Sequence, residues 1–270
     1  MKNNTRQLLR DLKAAAILGN PEAVDIALNG LLGFPGVAAN DRMDDGFIEK
    51  TILPVGRELT PLKTSFLRPL ISHRLVAGRA IGAVALADQY IVGKQASAKD
   101  LLKPANDARV EVRNALGREL LVNGSKDSEK LMALGTSWLT NSAPKPRYTA
   151  LIFAPALAAS HGEHLIGLLS PLDRESDWDV RAVLVDALNS LGQVGLGDSV
   201  MGLLHNWASD PNPNSWVISR VLSASWSAAF PAQVRVVLGE LSLKNGTESQ
   251  VKSAVEALSR HGVEINKLRA

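Results

Sequence analysis

Residues 79–86 read RAIGAVAL, residues 113–120 RNALGREL, residues 147–154 RYTALIFA and residues 181–188 RAVLVDAL. Arg79, Arg113, Arg147 and Arg181 thus recur every 34 residues, and each segment ends on Leu86, Leu120, Ala154 or Leu188. A fixed period of roughly 20 to 50 residues marks stacked supersecondary units that bury their faces only against their neighbours. The next copy, RVLSASW, slips by five residues to Arg220, and KSAVEAL begins at Lys252.

Around these segments apolar residues recur at helical spacing, broken by short clusters of Gly, Pro, Asn and Asp. Asn20 and Pro21 read as an N-cap followed by a proline in the first turn, opening a helix that Gly33 closes. Thr60 and Pro61 repeat the device, and Thr247 with Gln250 forms a capping box. No stretch alternates as a strand does, and the apolar run at Val236–Leu238 fits a helix with Leu238, Leu241 and Leu243 near one face. The expectation is an all-α chain, a right-handed α-solenoid of about seven antiparallel helix pairs. First helices start near residues 5, 46, 97, 127, 162, 197 and 231, and their partners near 21, 62, 107, 144, 177, 213 and 248. Residues 1–270 read as one domain, with a divergent helix pair and loop over 1–45 and repeats over 46–270. The widest connection is FPGVAANDRMDDG, residues 34–46.

Over roughly residues 60–262 the chain resembles the HEAT-repeat family, which places Val-Arg at the start of the second helix and an Asp six residues before the Arg. Asp107 with Val112 and Arg113 matches, as does Glu175 with Val180 and Arg181. Elsewhere Asn141 precedes Arg147 and Asn214 precedes Arg220, while Gly78 or Pro146 stands in place of the Val. The resemblance implies that each Arg pairs with the acid or amide of the preceding turn and locks one repeat onto the next.

Hydrophobic residues make up 46% of the 270 and aromatic residues only 4%. Leu, Val, Ile and Ala must therefore carry the burial, which suits close helix packing. With no cysteine, disulfide scaffolds, thiol nucleophiles and thiolate-held metals are excluded. The first residues, MKNNTRQLLRDLK, lack the apolar core of a signal peptide and no run is long enough to span a bilayer, so a cytoplasmic protein without membrane contact is expected.

Net charge is +3, yet residues 57–118 alone hold eleven Lys or Arg against five acids. Arg68 and Arg74 in this stretch are candidate binding residues, although a solvated helix face outweighs a nucleic-acid site there. All five tryptophans, Trp138, Trp178, Trp207, Trp216 and Trp226, lie between residues 138 and 226. Trp178 and Trp216 open second helices near Arg181 and Arg220, which makes Trp178, Trp216 and Arg220 the best surface candidates, with the other tryptophans in the core. His161, Glu163 and His164 lack a third metal ligand, and the glycines of GQVGLGDSVMG follow no strand, so neither a metal nor a dinucleotide site is assigned.

No catalytic residue and no cofactor is nominated. The first functional reading is a non-catalytic scaffold that holds a protein partner against its second helices. A nucleic-acid partner ranks second: HEAT-like alkylpurine DNA glycosylases are similar around HNWASDPNPNSWVISRVL, which singles out Asp179 and Arg220, but their paired-Trp and Asp pattern is not reproduced. A third reading is an auxiliary subunit that docks through a helix-stack end, because the N-terminal helix, with AAAIL and little charge after Lys13, looks less well capped than the final helix.

Overall fold

The structure is a computed structural model that describes residues 2–31, 36–38, 41–93 and 95–263. Among these residues the chain is helical throughout, with one isolated bridge between Val37 and Met43 and no strand. The chain divides into two compact units, residues 1–153 and 154–270. Gly33 and parts of the 34–46 connection lie outside the described residues.

The first unit holds α1 (Lys2–Leu18), α2 (Pro21–Asn29), α3 (Asp45–Phe47), α4 (Leu53–Leu59), α5 (Thr64–Leu67), α6 (Val76–Ile91), α7 (Ala98–Ala105), α8 (Val110–Asn123), α9 (Ser128–Leu139) and α10 (Pro144–Phe153). A π turn over Ile48–Ile52 joins α3 to α4 without a break. Asn20 caps α2 as expected, accepting from the N–H groups of Glu22 and Ala23. Thr60 instead ends α4, and its hydroxyl donates to Asp88 at 2.9 Å. The helix expected near residue 62 is accordingly only the short α5, and the long partner is α6. Nearly every side chain of α6 is buried. It packs against α4 on one side and α8 on the other, and α8 packs in turn against α10. Gly56 permits the α4–α6 approach, since a Cβ there would meet Val84 Cβ at 2.5 Å.

The second unit contains α11 (Ala158–Leu169), α12 (Trp178–Leu191), α13 (Gly197–Ser209), α14 (Ser215–Leu222), α15 (Pro231–Ser242) and α16 (Glu248–Arg260). Here helices two apart lie side by side: α11, α13 and α15 form one row and α12, α14 and α16 another. The glycine-rich turn after α12 is a packing device. Trp226 and Phe230, edge to face at 5.8 Å, rest where a Cβ on Gly192 or Gly197 would collide with their rings. At the last helix Thr247 is the cap residue, but its hydroxyl donates to the carbonyls of Leu241 and Lys244, so the expected box with Gln250 does not form. Leu243 falls past the end of α15 and is exposed, whereas Val234, Val237, Leu238 and Leu241 supply the buried face.

The arginine period has a repeated bond beneath it. Each guanidinium donates to the backbone carbonyl six residues earlier: Arg79 to His73 at 2.9 Å, Arg113 to Asp107 at 2.8 Å, Arg147 to Asn141 at 2.6 Å and Arg181 to Glu175 at 2.5 Å. The first three also reach the carbonyl five residues back. The side chain at the accepting position is occupied locally. His73, Asp107, Asn141 and Glu175 each accept from the backbone N–H two residues on, which tightens the turn before the helix. The acid six residues before each Arg thus contributes its carbonyl to that Arg. The Asp107 carboxylate is shared with the preceding repeat, where Arg79 holds it in a fork at 2.8 and 3.3 Å.

Candidate functional site

Three of the five residues singled out from the sequence meet in the second unit. Asp177 caps α12 by accepting from the Val180 N–H, and Asn214 caps α14 by accepting from Val217, so Trp178 and Trp216 both stand in a first turn. Because α12 and α14 lie side by side, the two indoles come together, with ring centroids 4.5 Å apart and planes tilted by 49°. The Arg220 guanidinium lies 5.7 Å over the Trp216 ring. Trp178 is 57% exposed, an unusual position for so large an apolar side chain, while Trp216 is half-buried beneath it.

Arg220 is not the fifth member of the arginine ladder. Counting from the caps Asp177 and Asn214, the residue equivalent to Arg181 is Ile218, which is fully buried. Arg220 sits two residues further along α14 and is exposed. It is therefore free of the loop-capping duty that occupies Arg181 and is available to lie on Trp216.

The remaining tryptophans serve packing. Trp138 is buried edge to face with Phe153 at 5.9 Å, and Trp207 is buried with its indole N–H donated to the Ser170 carbonyl at 2.9 Å. The Trp226 N–H donates to Asn189 at 3.0 Å. In the same unit, Arg174 pairs with Asp210 at 3.0 Å. The Asn212 backbone N–H, and then Arg174, hold the Asp210 carboxyl below the usual carboxylate range.

Arg68 and Arg74 belong to the first unit and do not come together. Arg68 is exposed and paired with Asp100 at 2.9 Å, and Arg74 is exposed and paired with Asp25 at 2.9 Å. Arg74 and Asp25 lie at a cavity of about 450 Å³ walled by Ala15, Val24, Phe66 and Leu70. Asp25 also accepts from His73 Nε2 at 2.5 Å, and its carboxyl is held low, chiefly by Arg74. Part of the local basic excess over residues 57–118 is matched by carboxylates brought in from elsewhere. Arg57 reaches Glu119, Arg74 reaches Asp25, and Arg118 reaches Asp45 and Glu49.

Glu163 of the HGEH segment accepts from Ser199 at 2.6 Å, and among the described residues no three His, Asp or Glu side chains gather as a metal site would require. No helix of the described residues is long and apolar enough to cross a membrane.

No family model matches this chain, and no curated protein matches it. Among solved structures it is similar to Cex1p at 16% identity and a TM-score of 0.46, over 98% of this chain and 54% of that one. The chain therefore spans about half the length of that structure.

Proposed function

We propose that this chain is a HEAT-like helical-repeat protein that works as a non-catalytic scaffold, and that a protein partner docks on the Trp178–Trp216–Arg220 surface of the second unit. The observation that carries the reading is the exposed Trp178 ring, held against Trp216 at the start of two neighbouring helices. Contiguous exposed aromatic surface marks interaction sites, and Trp and Arg are among the side chains most enriched in residues that dominate binding energy. The 34-residue ladder supports the architectural half of the proposal, since its arginines are spent on fastening turns and leave the helix starts to present other side chains.

The test is capture of binding proteins on the immobilised chain, with Trp178→Ala/Trp216→Ala as the comparison and circular dichroism to show that the variant is folded. A partner retained by the native chain should bind the double variant at least about thirtyfold more weakly, the size expected when an interface hot spot is truncated. Equal retention would remove the reading. So would tight duplex DNA binding that falls about a thousandfold between 50 and 200 mM salt, because that slope requires a row of phosphate contacts.

A further inference from the structure

Resting on that docking reading, we propose that the partner is recognised through a basic segment, with a guanidinium laid on the exposed ring of Trp178. The protein already shows that this aromatic pair accepts such a group, because its own Arg220 lies 5.7 Å over Trp216. Tryptophan is the best of the aromatic faces for a cation, and a planar guanidinium can stack on it as well as attract it.

Charge decides between a cationic and an anionic occupant. From Asp173 to Arg220, the stretch that carries both tryptophans, there are seven Asp or Glu, three Arg and no Lys, for a net charge of −4. Each of those three arginines is engaged within the unit: Arg174 on Asp210, Arg181 on the Glu175 carbonyl and Arg220 on Trp216. Trp178 is flanked by Asp177 and Asp179, the latter exposed. The whole second unit has twelve acids against nine Lys or Arg, whereas the remaining residues, 1–153, carry a net +6. Carboxylates flanking the exposed ring draw in and orient a cationic segment and repel phosphate, so a single nucleic-acid strand stacking its bases on the same rings is disfavoured.

The experiment is a fluorescence-anisotropy titration of the full chain with a labelled oligo-arginine peptide, an oligo-lysine peptide of equal length and a single-stranded oligonucleotide. The expected order is arginine peptide tightest, lysine peptide weaker and oligonucleotide weakest. Trp178→Ala should weaken the arginine peptide about two- to fivefold, the size of one exposed cation–π contact, while Trp178→Phe keeps most of the affinity. An arginine peptide that binds Trp178→Ala as well as the native chain overturns the inference, as does preferred binding of the oligonucleotide. The same holds if sedimentation shows a self-associated form that Trp178→Ala abolishes, since the occupant is then a second copy. If the captured partner still depends on Trp178 and Trp216 while the peptide does not, docking stands and only its basic chemistry falls.

Discussion

Replacing Arg57 with alanine is expected to destabilise the fold by about 3–5 kcal/mol, the cost of removing one member of a buried ion pair. Arg57 donates through Nε to both oxygens of Glu119 at 3.0 and 2.9 Å, and the Glu119 side chain is fully buried on α8. Asn123 also donates to that carboxylate, and Asp88 adds a second negative charge nearby. The two partners report opposite balances. Glu119 raises the Arg57 pKa, as an attractive pair must, yet burial pushes the Glu119 carboxyl above the usual glutamate range despite Arg57. The burial cost borne by Glu119 decides the sign, because Arg57 keeps access to water and Glu119 has none. A raised acid pKa means that the folded chain holds its proton more tightly than the unfolded one, so the contribution of Glu119 to stability is lost as pH rises through the raised value. The Arg57→Ala loss should therefore be smallest near about pH 4 and grow towards neutrality. Arg57→Ala/Glu119→Gln should recover most of it. Urea midpoints across this range are the measurement. A loss independent of pH and not rescued by Gln would mean that packing, not an orphaned charge, accounts for the effect.

Arg113→Ala should cost about 2–4 kcal/mol, since it orphans the carbonyls of Asp107 and Ala108 and removes a guanidinium 4.8 Å over the Tyr148 ring. Arg113 is 4% exposed, so water cannot readily take its place. Arg220→Ala, by contrast, removes an exposed side chain and should change stability by less than about 1 kcal/mol. Thermal melts of the two variants side by side separate a fastening arginine from a surface one. Similar losses would contradict the division made from the helix caps.

The arginine period was readable because each Arg performs the same local bond, and local bonds leave a fixed spacing in the chain. The same spacing misled at Arg220. The cap of α14, Asn214, stands 37 residues after the cap of α12, Asp177, and not 34, so the fastening position falls on Ile218. Residue type alone therefore assigned Arg220 to the ladder. That Trp178 and Trp216 open helices could be read from the neighbouring Asp and Asn caps. Their mutual contact could not, because it depends on α12 and α14 lying side by side. Nor could the pairing of Arg57 with Glu119, 62 residues away, which gives a cation of the basic segment a carboxylate from beyond it. Thr60 and Thr247 show the limit of cap rules: both hydroxyls donate to groups supplied by the fold, Asp88 and the Leu241 carbonyl, and are not left to cap the first turn of a helix.

Docking on the second unit is tested most directly by the indole N–H resonances of the five tryptophans, assigned by single Trp→Phe variants and followed while a captured partner is added. The N–H groups of Trp207 and Trp226 are bonded inside the unit and Trp138 is buried against Phe153. The account predicts that Trp178 and Trp216 shift while Trp138, Trp207 and Trp226 stay in place. A partner that binds and leaves Trp178 and Trp216 unmoved would contradict it.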